Sequence, residues 1–168
     1  MEMRLEPGMI FCSQSAGVIG KTINFFQKLN ASDNNSEYSH SGIITSAFGD
    51  TFESLTTIRK STLKPYTGKK ILIGRNKNMT MELYQKGWAA VKPHEGQVYP
   101  YWRLPMQLIP WVGKMGRGNW PVCSELTCKF LAACDNMCFY WKGKCPDDIA
   151  DMIIRWKAWD TVFEGVLE

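Results

Sequence analysis

No part of the 168-residue chain approaches the roughly 18 consecutive apolar residues that a membrane-spanning helix requires, so no such helix is expected. The opening Met1-Glu2-Met3-Arg4-Leu5-Glu6-Pro7 lacks the basic region and apolar run of a secretory signal. A cytoplasmic location is therefore expected, compatible with a bacterial protein or a phage product. Only two histidines occur, and no pair among the six cysteines has Cys-x2-Cys spacing. The lack of that spacing argues against structural zinc, and the missing signal argues against a disulfide framework. The expectation is no metal, no cofactor, and cysteines that are mostly reduced and buried. Internal repeats and low-complexity tracts are also missing, which leaves one domain over residues 1–168.

Acidic residues are absent from positions 59–81, while Arg59, Lys60, Lys64, Lys69, Lys70, Arg75 and Lys77 are basic. Two readings are open: solvated edges of a sheet, or attraction of an anionic substrate, lipid headgroup or nucleic acid. Tyr66 is the sole aromatic there, too little interleaving for a single-strand binder, so nucleic acid is not an expected partner. The net charge of +4 permits an anionic partner without requiring one.

Hydrophobic residues make up 45% and charged residues 21%, which fits a globular chain with a real core. Pro7-Gly8 reads as a turn before a short strand through Ile10-Phe11-Cys12. Val18, Ile19, Thr22, Phe25, Phe26 and Leu29 recur at helical spacing, and a polar, turn-rich loop spans 30–37. A strand then runs from Tyr38 to Thr45, with Gly49-Asp50 turning into a second strand, Thr51-Phe52-Glu53-Ser54-Leu55. The tight connection suits an antiparallel hairpin. His40 and Glu53 then lie on neighbouring strands, and whether they share a face depends on register. Lys70-Ile71-Leu72-Ile73-Gly74 predicts a further strand. Thr80 predicts a cap for a helix carrying Leu83, Tyr84, Gly87, Trp88 and Val91. The stretch 99–120 is rich in aromatics, Pro and Gly, which suits a pocket-shaping loop or a cover for the core.

Cys123 follows a short extended segment and precedes Leu126, Phe130, Leu131 and Cys134, which share one helical face. It is therefore placed at a helix N-terminus, where unpaired N–H groups and the dipole favour a thiolate. A buried thiol that simply packs is the alternative. Glu125 reads as a first-turn charge. Pro146-Asp147-Asp148 opens a last helix with Ile149, Met152, Ile153 and Trp156 as its buried stripe. Residues 160–166 read as a closing strand. A cysteine nucleophile needs a base, and the base needs an orienting partner; His40 and Glu53 are suitable types.

These residues resemble the circularly permuted branch of the NlpC-type papain-like cysteine hydrolases, the YiiX-like group. Pro7-Gly8-Met9-Ile10 is similar to its opening Pro-Gly-Asp-Ile, with Met9 in place of Asp. Ser39-His40-Ser41-Gly42-Ile43 resembles the block holding the catalytic histidine. Phe52-Glu53-Ser54 looks like the strand with the acidic residue, and Gly96-Gln97-Val98-Tyr99 like a Gly-x-x-Tyr block. Cys123-Ser124-Glu125-Leu126 resembles the nucleophile motif, and Pro146-Asp147-Asp148 a C-terminal motif. The order of histidine, acid, then cysteine marks the permuted branch.

The resemblance implies an α+β papain-like core with a small antiparallel sheet or partial barrel packed on helices. It implies a hydrolase or acyltransferase acting through a thioester, with Cys123 as nucleophile, His40 as base and later acid, and Glu53 as orienting residue. The Cys123 N–H would contribute to an oxyanion hole. Tyr99, Tyr38 and Ser124 are the expected substrate-binding residues, Tyr99 as a second donor or pocket wall. The substrate would be a peptide, a peptidoglycan fragment or an acyl lipid, so peptide amidase and lipid acyl hydrolase or acyltransferase both stand. A non-catalytic ligand-binding or effector protein is the alternative from another class. The sequence leaves the oligomeric state open.

Overall fold

The computed structural model describes residues 4–14, 37–99, 122–135 and 144–168. The helix expected over 18–29, the loop over 30–36, the aromatic stretch over 100–120 and Cys138 lie outside the described residues. In chain order the described elements are β1 (Ile10–Ser13), β2 (His40–Ile44), β3 (Asp50–Ser54), β4 (Ile58–Thr62), β5 (Lys70–Asn76), α1 (Met81–Val91), α2 (Cys123–Ala133), α3 (Pro146–Arg155) and β6 (Trp159–Val166). The six strands form one antiparallel sheet in the order β4-β3-β2-β1-β5-β6. The α+β class and the antiparallel hairpin of β2 and β3 are as the sequence predicts. No helix among the described residues is long and apolar enough to cross a membrane.

Side chains alternate between the faces of a strand, yet every residue of β1 and β2 is buried. The reason is that both faces are covered. Ile10, Cys12, Ile43, Phe52 and Leu72 pack with Leu126, Phe130 and Leu131 of α2 and Ile149 and Ile153 of α3. Met9, Phe11, Ile44, Ile71 and Ile73 pack on the other face with Leu5, Leu63 and Tyr66.

The predicted helix ends have physical anchors. Thr80 Oγ1 accepts from Leu83 N at 3.2 Å to start α1. Pro146 opens α3, and Asp148 reaches back to accept from Cys145 N at 2.8 Å. One member of the α3 stripe is corrected: Trp156 is the C-cap, extended and 48% exposed, because the helix stops at Arg155. Strand β4 went unpredicted. Its Ile-Arg-Lys-Ser-Thr sequence has no apolar alternation because it is an edge strand with Arg59 and Lys60 exposed, a common defence against edge pairing.

Helices α1 and α2 meet at Gly87. A Cβ there would lie 2.4 Å from Cys134 Sγ and 2.6 Å from Phe130 Cδ2. Gly87→Ala is expected to destabilise the fold by about 1–3 kcal/mol through overpacking, measurable as a lower denaturation midpoint.

Candidate active site

Cys123 is the first residue of α2, following Val122 in extended conformation. Glu125 does not face the thiol. Its Oε2 accepts from Val122 N at 3.3 Å, which ties the first turn closed and satisfies a donor at the helix start. Ser124 Oγ donates to Lys144 O at 2.5 Å and so fastens α2 to the approach of α3. Thr127 Oγ1 donates to Cys123 O at 3.1 Å and lies 3.3 Å from Ser41 Oγ. That proton being used, Ser41 is the donor in the second contact. One hydroxyl chain therefore joins the turn bearing Cys123 to β2, one residue from His40.

The register of β2 and β3 answers the question left by the sequence. Gly42 pairs with Glu53, so His40, two residues before Gly42, shares a face with Glu53 and meets it diagonally. His40 Nε2 and Glu53 Oε2 are 2.7 Å apart, and both side chains are buried. The other ring nitrogen, Nδ1, is left for Cys123, whose sulfur is close enough to act on the imidazole. Three residues from distant parts of the sequence thus form one line: thiol, imidazole, carboxylate.

Glycine at 42 makes this geometry fit. The Phe11 ring lies in the space a side chain would occupy: a Cβ on Gly42 would be 2.6 Å from Phe11 Cε1 and 3.1 Å from Glu53 Cβ. Phe11 also lies against the His40 ring, with centroids 5.9 Å apart. Gly42→Ala is expected to displace Phe11 and open the His40–Glu53 bond. It should lower stability by about 1–3 kcal/mol, checked by melting.

The electrostatics follow from burial and partners. Burial works against a charged His40, but hydrogen bonds to Cys123 and Glu53 and their negative charge outweigh it and push the imidazole up to about 9. Burial would raise Glu53, yet the bonds from His40, Tyr66 and Thr51 and the imidazolium charge hold its carboxyl below the usual carboxylate range. Thr51 Oγ1 donates to Glu53 Oε1 at 2.9 Å.

Tyr66 donates to Glu53 Oε2, the same oxygen that meets His40. Its ring also stacks on His40, with centroids 5.9 Å apart and planes 9° from parallel. Burial and the Glu53 charge push the phenol upward, which keeps it a neutral donor. In the sequence Tyr66 stands out only as the lone aromatic of a basic stretch. The available signal was Pro65, which sets the short 3₁₀ turn Lys64–Tyr66 that carries the phenol back over β3.

The other expected site residues have the following partners. Tyr38 is buried beside His40 in sequence, but its hydroxyl reaches Glu164 on β6 at 3.5 Å and Lys70 sits over its ring. Tyr99 is buried next to the isolated Thr57–Val98 bridge, with its N–H donating to Thr56 O at 2.8 Å. His94, left without a role by the sequence, lies between Gln97 and Lys129.

The fold has a counterpart among solved structures. The metalloprotein YiiX from Escherichia coli O157:H7 superposes with a TM-score of 0.62 at 16% identity, over 97% of this chain and 99% of that one. The chain has a YiiX-like fold. At that identity the likeness speaks for the fold alone, and the YiiX-like frame is what places β2, β3 and the start of α2 together. No protein-family profile matches the sequence. No curated protein matches it either.

Proposed function

We propose that this protein is a cysteine hydrolase of the permuted papain-like type that cleaves amides through a thioester on Cys123. The observation that carries the reading is the His40 ring, bonded to the buried Glu53 carboxylate at 2.7 Å and close enough to Cys123 for the sulfur to act on it. A buried histidine that only packed would need neither a thiol nor an anionic carboxylate. In the proposed sequence His40, as an imidazolium, already holds the proton given up by Cys123, and the thiolate Sγ attacks the substrate carbonyl. The resulting oxyanion is stabilised by the Cys123 N–H at the head of α2, one of the donors a helix start leaves unpaired. The imidazolium gives its proton to the leaving amine, and the acyl group stays on Sγ. His40 then draws a proton from water, which attacks the thioester and releases the acid. Glu53 holds the ring in one tautomer throughout and steadies its positive charge. The order of histidine, acid and cysteine, and the cysteine helix packed on an antiparallel sheet, support the permuted papain-like assignment.

The structurally similar YiiX is described as a metalloprotein. Among the described residues of this chain no three His, Cys, Asp or Glu side chains stand together as a metal-holding group. His40 has both nitrogens committed to Glu53 and Cys123. These residues do not fit a metal centre, and no step above runs through one.

The test is to offer peptide amides, wall peptide fragments and acyl lipids in parallel and to follow released amine, released fatty acid and the intact protein mass. The expected result is amine release from a peptide, with an acyl adduct on Cys123 that disappears in Cys123→Ala. Fatty acid release without amine release would replace the amidase reading by the lipid one. No adduct and no product from any of them would overturn the hydrolase.

A further inference from the structure

The seven basic residues between 59 and 77 are not equivalent in the fold. Lys70 pairs with Glu37 and Glu164, Arg75 with Glu6 and Asp160, and Lys77 with Asp160. Lys60 lies over the Trp88 ring on the helix-covered face. Arg59, Lys60, Lys64 and Lys69 have no carboxylate partner among the described residues; of these, Arg59 and Lys69 act on Tyr66, the residue that covers the His40–Glu53 pair. Arg59 stands directly opposite Glu53 in the β3–β4 register, so its side chain leaves the sheet on the face of Glu53 and His40. Its charge is close enough to Tyr66 to act on the phenol. Lys69 Nζ sits 5.2 Å from the Tyr66 ring centroid. Arg59 is exposed and Lys69 half-buried, so both can meet a ligand.

Two unpaired cations beside a buried, already neutralised carboxylate are not needed by Glu53. It has His40, Tyr66 and Thr51 as partners. They carry a surplus of positive charge on the catalytic face. We propose that Arg59 and Lys69 form a subsite for a carboxylate of the substrate, which makes the enzyme selective for acidic peptides; this rests on the cysteine hydrolase reading above. The guanidinium fork matches a carboxylate in two parallel hydrogen bonds, and the ammonium adds a second point of attraction. A peptide fits better than an acyl chain because Arg59 shares its strand face with Ser61, which pairs with Thr51, and Tyr66 is followed by the exposed Thr67. Those neighbours present hydroxyls rather than apolar surface. Adjacent strands are about 5 Å apart, and a hydrogen-bonded imidazole separates Glu53 from the sulfur. The bound carboxylate therefore lies on the order of 10 Å from Sγ, two or three residues from the scissile bond in an extended peptide.

The experiment compares the rates at which peptidyl chloromethyl ketones alkylate Cys123. One carries glutamate three residues from the reactive carbon, and its twin carries glutamine. A third reagent is a long-chain acyl chloromethyl ketone, and iodoacetamide reports the bare nucleophile. The glutamate reagent is expected to react about tenfold faster than the glutamine twin, as a charge-assisted contact would give, with the ratio shrinking in high salt. In the double variant Arg59→Gln, Lys69→Gln the ratio should fall to about one. Equal rates for the twins in the wild type, with Cys123 still the preferred target of iodoacetamide, would overturn the subsite while leaving the hydrolase standing. Faster reaction of the acyl reagent than of both peptides would overturn it in favour of a lipid substrate. Failure of iodoacetamide to prefer Cys123 would instead strike the hydrolase reading itself.

Discussion

Replacing Cys123 by serine is expected to reduce turnover by a thousandfold or more, on the order of what loss of a nucleophile costs in related arrangements. The change removes almost no volume, and its neighbours are held by the backbone. Thr127 bonds the Cys123 carbonyl and Glu125 bonds the Val122 N–H, neither of which uses the sulfur. The melting temperature should therefore stay close to that of the wild type while activity disappears. A hydroxyl is far less acidic than a thiol, and His40, held by Glu53, is tuned to receive a thiol proton. Loss of activity together with loss of fold would leave the nucleophile unproven, so the two are measured on the same preparation. Full turnover by the serine variant would contradict the role of Cys123 outright.

Glu53→Gln is the second large effect. The glutamine keeps the shape, but its one oxygen can accept from Tyr66 or from Thr51 and not from both, which meet different oxygens of Glu53, and it removes the charge that supports the imidazolium. Glu53 is among the causes that raise His40 to about 9, so the variant's His40 should titrate lower. The rate should fall about a hundredfold or more, because the amide can hold the ring in the wrong tautomer. The alkaline limb of kcat/KM, expected near pH 9 in the wild type where His40 loses its proton, should move to lower pH. A limb that stays in place would separate His40 from Glu53.

The same pair sets a stability window with opposite signs at its two ends. His40 is raised by folding, so its contribution is whole below the ordinary histidine value and fades as the pH climbs through about 9. Glu53 is lowered by folding, so its contribution is present above the ordinary carboxylate value and is lost as the pH falls through its depressed one. Between those ordinary values both contributions are in force. Glu53→Gln should flatten the pH dependence of the denaturation midpoint on both sides.

Much of this frame was legible in the sequence. Periodicity located β2, β3, α1, α2 and α3, and the capping residues Thr80 and Pro146 fixed where two helices begin. The residue types at 40, 53 and 123 suggested the chemistry. What periodicity could not supply was register, and register decides whether His40 and Glu53 share a face. A shift of one residue would have sent Glu53 to the helix side. Strand β4 was missed because an edge strand buries little and needs no apolar alternation. Tyr66 was missed for a different reason: its role depends on a turn that brings it back across the sheet, and no local pattern records such a return. Trp156 was misplaced because hydrophobic spacing continues one residue beyond the point where the helix stops.

The most direct measurement is the alkylation rate of each cysteine by iodoacetamide at about pH 6, where an ordinary thiol is almost wholly protonated, read by peptide mass. Cys123 is buried, as are Cys12, Cys128 and Cys134, and Cys145 is the half-buried internal reference, its thiol pushed up to about 12 by burial and the nearby Asp148. If His40 activates the sulfur, Cys123 is labelled far faster than Cys145 in the wild type, and the advantage vanishes in His40→Ala. Labelling of Cys123 no faster than Cys145, or an advantage that survives the loss of His40, would contradict the account.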